Sequence, residues 1–189
     1  MKLCVVIGAG KVGGNTEQLA DAFIKGAQEA GHEAVKLHLG KLKIGPCLGC
    51  NACTKGIPCV QKDDFHLFAE AFSACDAVIW TTPLYFWGIS AQLKALIDRL
   101  YSIGEKDPKG YYFLYPAKKC AMLITGADSD RHFWAFELVE HYYRRLVKYM
   151  RWTDLGFLAA GGCGGSAFPR CIEKTPHLQR AYEFGKQLR

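Results

Sequence analysis

The 189-residue chain has no long apolar run. Its only N-terminal hydrophobic stretch, Leu3 to Ile7, is far too short for a secretion signal or a membrane span. No internal repeat or low-complexity tract interrupts it. The histidines form no metal pattern such as H-E-x-x-H. Part of the formal charge of +6 comes from Arg144, Arg145, Lys148 and Arg151 on one predicted helix. That reads as a solvated helix face, and a nucleic-acid surface would need basic residues interleaved with exposed aromatics. Neither a membrane nor a nucleic acid is an expected partner. The nine cysteines are an odd number, which argues against a closed disulfide framework and for a reducing, cytoplasmic setting.

What is present is a hydrophobic half and a regular alternation of patterns. Lys2 to Gly8 is a buried strand. It feeds a helix from Asn15, with Leu19, Ala22, Phe23, Gly26, Ala27 and Ala30 at helical spacing. Ala34 to Leu39 is a second strand and Asp64 to Ala74 a short amphipathic helix. Asp76 to Thr82 is the third strand, and Ser90 has the character of an N-cap for the helix carrying Leu93, Leu96, Ile97 and Leu100. Ser102 to Lys118 is irregular. Strand Lys119 to Thr125, helix Phe133 to Met150, strand Asp154 to Ala160 and a final helix follow. Such alternation predicts one α/β domain over residues 1–189, with a parallel sheet covered by helices on both faces. Ligands of such sheets bind beyond the carboxyl ends of the strands.

Three loops fall on that edge. The first, Gly8-Ala9-Gly10-Lys11-Val12-Gly13-Gly14-Asn15-Thr16, contains G-x-G-x-x-G. A dinucleotide reading wants an acid at the end of the second strand, where this chain has Lys36-Leu37-His38-Leu39. A P-loop wants Lys-Ser or Lys-Thr after the last glycine, and none follows. What remains is a turn delivering Asn15 and Thr16 to a helix start, where free amides and the helix dipole favour a single phosphate. The alternative is an ordinary cap at Asn15. The second loop, Pro83-Leu84-Tyr85-Phe86-Trp87-Gly88, sets four large apolar or aromatic side chains at the mouth of the third strand, suited to a flat ring system. The third, Thr125-Gly126-Ala127-Asp128, would close the other side.

The remaining loop holds Cys47, Cys50, Cys53 and Cys59 within thirteen residues. Three thiols at two-residue gaps and a fourth nearby suit a cubane iron-sulfur centre. Zinc ranks below it, because structural zinc sites usually join two ligand pairs across a longer loop. Free thiols remain open as well. Leaving the second strand, this loop is expected on the same edge as the glycine turn. Cys4, Cys75 and Cys120 read as small core hydrophobes, whereas Cys163 and Cys171 lie on an irregular segment that would leave them accessible. Asp98 and Arg99 read as fold or interface residues.

At Gly13-Gly14-Asn15-Thr16, at the cysteine loop with Lys62-Asp63-Asp64, and most specifically from Pro83 through Lys94 to Asp98-Arg99, the chain resembles the NADPH-dependent FMN reductases and iron-sulfur flavoproteins. That resemblance implies a three-layer α/β/α flavodoxin-like fold with a five-stranded parallel sheet of order 2-1-3-4-5. It also implies FMN as cofactor and NAD(P)H as co-substrate. Flavin contacts would come from Ala9, Gly10, Lys11, Gly14, Asn15 and Thr16 on the phosphate side, and from Pro83, Leu84, Tyr85, Phe86, Trp87 and Gly88 at the ring. Thr125, Gly126 and Asp128 would stand opposite. It further implies a [4Fe-4S] cluster on Cys47, Cys50, Cys53 and Cys59, a small-molecule electron acceptor such as a quinone or free flavin, and a homodimer or homotetramer. Ala9-Gly10-Lys11 departs from the family's frequent Ser-Pro-Arg, which removes a hydroxyl and a bidentate phosphate ligand.

Overall fold

The computed structural model describes residues 1–106, 113–114, 116, 118–127, 134–164 and 172–189. Five parallel strands form the sheet: β1 (Lys2–Ile7), β2 (Glu33–His38), β3 (Ala77–Pro83), β6 (Lys119–Thr125) and β7 (Thr153–Ala160). Their order is β2-β1-β3-β6-β7. The expected order of 2-1-3-4-5 is therefore met once a two-stranded hairpin is set aside, β4 (Glu105–Lys106) with β5 (Phe113–Leu114). Among the described residues of the stretch expected to be irregular over 102–118, this strand pair and the end of a 3-10 turn (Leu100–Ile103) are the regular parts. Strand β1 from Leu3 onward and the whole of β3 are buried because both faces of the sheet are covered, as parallel sheets require.

Helices α1 (Asn15–Glu29) and α5 (His177–Lys186) pack on one face, around Leu3, Val5, Ile7, Leu19, Phe23 and Ala181. On the other lie α2 (Phe65–Ala74), α3 (Ala91–Ile97) and α4 (Trp134–Met150), around Val6, Phe68, Phe72, Trp80, Leu96, Phe136 and Tyr143. The Tyr143 hydroxyl reaches the Cys120 carbonyl at 2.7 Å and Asp154 Oδ1 at 2.6 Å, tying α4 to the two strands beneath it. Cys4, Cys75 and Cys120 are buried, and burial pushes their thiols up, so they remain protonated packing groups. Cys163, expected to be accessible, is buried instead: its amide donates to the Gly126 carbonyl at 2.8 Å and its thiol turns to the Gly161 carbonyl. Cys171 lies outside the described residues. Among them, no helix is long and apolar enough to cross a membrane.

Candidate functional site

The glycine turn ends at Gly14, which occupies the cap position of α1 with no side chain capping it. The alternative of an ordinary cap at Asn15 is not met: Asn15 is already helical, as a turn delivering it to the helix start implies. As a result, the amides of Asn15, Thr16 and Glu17 find no acceptor among the described residues. Such a helix start offers several donors and the positive end of the dipole to an anion.

This turn is fastened from three sides. From β3, the Thr81 carbonyl accepts the Gly8 amide at 2.7 Å, and the Ser90 hydroxyl donates to the Gly8 carbonyl. The approach is close enough that a Cβ on Gly8 would stand 2.7 Å from the Thr81 oxygen and 2.8 Å from Leu93 Cβ. From β6, Thr125 Oγ1 meets Thr16 Oγ1 at 2.7 Å inside the fold. From α1 and β2 together comes a set of charges. Glu17 Oε2 accepts the Gly13 amide at 2.6 Å, Glu17 Oε1 takes Lys36 Nζ at 3.0 Å, and His38 Nε2 faces the same carboxylate at 3.4 Å. Burial alone would raise the Glu17 carboxyl, but the Gly13 amide and the Lys36 ammonium outweigh it and hold it below the usual range. The acid sought at the end of β2 stands in α1, and a base occupies the strand.

Next to this turn is the aromatic loop. Tyr85 and Gly88 exchange both backbone hydrogen bonds at 3.0 Å, closing a two-residue turn with Phe86 at φ 47° and Trp87 at φ 58°. Left-handed backbone at two bulky residues is strained, and such strain concentrates at functional loops. Phe86 is 97% exposed and Trp87 stacks on Trp134 of α4, ring centres 5.8 Å apart. Leu84 donates to the Thr125 carbonyl at 2.7 Å, so the loop is pinned to the end of β6. Ala9, Gly10, Lys11, Gly14, Asn15 and Thr16, residues 83–88, Thr125 and Gly126 therefore gather on one edge; Asp128 lies outside the described residues.

The cysteine loop leaves the same edge, where a Cβ on Gly40 would stand 2.5 Å from the Gly10 oxygen, and runs on to the segment that follows α3. Cys47, Cys50, Cys53 and Cys59 line one cavity of ≈ 500 Å³ together with Asp98, Arg99, Tyr101 and Ser102. No residue of the glycine or aromatic loops lines it. The loop doubles back at Gly49 (φ 63°) and Asn51 (φ 58°), and the Gly49 amide donates to Cys47 Sγ at 3.5 Å. Its anchor is Arg99, read from the sequence only as a fold or interface residue. The Arg99 side chain is 1% exposed and pairs with Asp63 at 2.6 Å. The guanidinium beside it holds the Asp63 carboxyl down at about 2. Among the described residues no three His, Cys, Asp or Glu side chains converge on a single-ion site. A cubane asks for less convergence, since each thiolate binds its own iron, and four soft donors lining one cavity fit that group.

Residues 1–142 match the sequence profile of the NADPH-dependent FMN reductases. The chain belongs to this family. An iron-sulfur flavoprotein of Archaeoglobus fulgidus is 34% identical over 113 residues, 59% of this chain and 51% of that one. Another, from Methanosarcina thermophila, is 33% identical over 130 residues, 69% and 65% of the two chains. A Bacillus subtilis protein provisionally named an NAD(P)H-dependent FMN-containing oxidoreductase is 34% identical over 133 residues, 69% and 70%. The FMN reductase family chain thus spans about half the length of the first of these relatives. An NAD(P)H:quinone oxidoreductase from Methanothermobacter marburgensis superposes with a TM-score of 0.77 at 17% identity, covering 100% and 99% of the two chains. An azoreductase from Bacillus anthracis does so at 0.72 and 21%, over 100% of each. At such identities these establish the shared flavodoxin-like fold.

Proposed function

We propose that this chain is a single FMN-binding unit acting as an NAD(P)H oxidoreductase, with a cysteine-bound [4Fe-4S] cluster that exchanges electrons with a small acceptor such as a quinone or free flavin. The observation that carries the reading is the uncapped start of α1, with the free amides of Asn15, Thr16 and Glu17, beside an exposed aromatic loop in a member of the FMN reductase family. In this assignment the glycine turn and Thr16 hold the phosphate, residues 83–88 hold the ring, and Thr125 and Gly126 flank it. FMN, when bound there, would supply the hydride chemistry, so this chain's residues supply pocket and orientation and no acid–base residue is required. The lost arginine at Lys11 leaves the phosphate more dependent on backbone amides.

For the cluster, support comes from four thiols around one cavity, from donors already aimed at Cys47 and Cys59, and from the iron-sulfur flavoproteins among the relatives. The exposure of Tyr85, Phe86 and Trp87 suits a second copy of the chain completing the ring pocket, in a homodimer or homotetramer. One observation favours a second reading, an electron carrier between protein partners. Leu48, Ile57 and Val60 are exposed apolar residues within the cysteine loop, where a partner could dock.

Anaerobic purification followed by a visible spectrum, iron and sulfide assays and stopped-flow mixing with NADPH or NADH tests all of this. The expected result is one FMN per chain, bleached by the nicotinamide, with about four iron and four sulfide. A colourless protein that takes up no added FMN would overturn the flavin assignment. Flavin that is not bleached at a useful rate by either nucleotide would leave the carrier reading.

A further inference from the structure

We infer that Arg99 is a positioning residue for the cysteine centre, donating to a metal-bound Cys59 thiolate and setting the reduction potential of the cluster. This rests on the cluster reading above. The sequence places Arg99 just beyond α3, forty residues from Cys59, and the fold turns its side chain inward until only 1% remains exposed. One nitrogen, Nη1, donates to Asp63 Oδ2 at 2.6 Å and to the Gly45 carbonyl at 3.2 Å. The other, Nη2, donates to Cys59 Sγ at 3.4 Å. The guanidinium carbon, Cζ, lies over the Phe65 ring, 4.3 Å from its centre. Asp63 in turn accepts the Gly45 amide at 2.8 Å and the Phe65 amide at 3.2 Å. A single buried cation thus grips the chain before the first cysteine, at the last one, and just after it.

Closing a loop does not by itself call for a buried guanidinium. Burying a charge is expensive, and an apolar contact of similar volume would close the loop at least as well. Asp63 neutralises the cation, yet Nη2 is spent on a sulfur, and a neutral thiol is a poor acceptor. A thiolate bound to iron is a strong one, and it carries the charge that a guanidinium matches. The arrangement is that of an outer partner orienting and tuning a metal ligand. A donor and a positive charge on a ligand sulfur favour the reduced, more negative cluster, which raises its potential.

The test is an EPR-monitored redox titration of anaerobically reconstituted protein, with iron and sulfide assayed on each sample and the flavin followed optically in the same cell. In Arg99→Gln the cluster midpoint is expected to fall, lowering the reduced fraction roughly tenfold at a fixed potential, equivalent to 59 mV for one electron. The flavin midpoint should stay in place. Asp63→Asn removes the carboxylate charge and leaves the guanidinium on Cys59, and its cluster midpoint should not fall. Equal midpoints in wild type and Arg99→Gln at equal iron content would overturn the inference while leaving the cluster reading intact. Equal falls in both variants would assign Arg99 a purely structural role and overturn it too. Wild-type protein that holds no iron after reconstitution would overturn the cluster reading and this inference with it. Should Arg99→Gln fail to fold, Arg99→Lys carries the same test: it keeps one charge but cannot span Asp63 and Cys59, so a smaller fall is expected and no fall refutes the role.

Discussion

Residues 8–16 and residues 43–64 both leave the carboxyl edge of the sheet as loops containing glycine, and they are held in opposite ways. The first is fastened by α1, β3, the cap of α3 and β6 at once, through Glu17, the Thr81 carbonyl, Ser90 and Thr125. Its conformation is part of the core, and its free amides are prearranged. The second laces its own neck, where Lys43 and Asp64 exchange hydrogen bonds at 2.7 and 3.0 Å, and is then tied to the segment following α3 by one side chain, Arg99. Cys47 and Cys50 remain exposed. A cofactor that must bind in one orientation suits the first kind of loop. A centre supplied by its own inorganic framework suits the second, because the metal completes the geometry that the chain leaves open.

The sharpest way to break this contrast is to strip the anchor, Arg99, of its counter-charge. Asp63→Ala leaves Arg99 buried without its counter-charge and is expected to cost about 3 kcal/mol, read by urea denaturation. Loss of much less would mean that the cysteine loop has other anchors. The same pair has a pH signature. Because the Asp63 carboxyl is held down at about 2, its contribution is fully present above the ordinary carboxylate range near about 4 and is lost as pH falls through 2. Acid unfolding of the wild type should therefore show a stability loss in that window that is absent from Asp63→Ala.

On the other loop, Gly8→Ala forces a Cβ against the Thr81 backbone and Leu93, and a destabilisation of about 1–3 kcal/mol with weakened FMN binding is expected by calorimetry. Smaller again is Ser90→Ala. It removes the acceptor for the Leu93 amide at 3.2 Å and the donor to Gly8, for a loss of about 1 kcal/mol. FMN affinity should fall with it, whereas iron content should not. The smallest effect is predicted for Cys53→Ser: iron is lost, FMN stays, and stability differs from that of cluster-free wild type by no more than about 0.5 kcal/mol, since the side chain is only partly buried. A larger difference between the two cluster-free proteins would mean that the thiol itself anchors the loop.

Much of this was legible in advance. The strand and helix patterns fixed the element order, and the alternation implied the parallel sheet that β2-β1-β3-β6-β7 realises. Ser90 announced itself as a cap and is one. What escaped were contacts between residues distant in sequence. Arg99 reaches Asp63 across 36 residues and Cys59 across 40, and no periodicity marks a charged side chain for burial. Lys36 was visible only as a residue standing where an acid was sought and Glu17 carried no signal, and the packing of α1 on β2 turned the two into a clamp on Gly13. Cys163 was misjudged because glycines suggested an open loop, whereas its amide is drawn under the end of β6 by the Gly126 carbonyl.

The sequence by itself determined which residue types could carry chemistry and on which loops they sit, since hydrophobic period and turn residues act locally. Only the tertiary structure decided what each loop faces. The glycine turn stands beside the aromatic loop because β1 and β3 pair in register, and the four cysteines share a cavity with the segment following α3 because a buried guanidinium takes its partners where the fold brings them, not where the chain places them next in line.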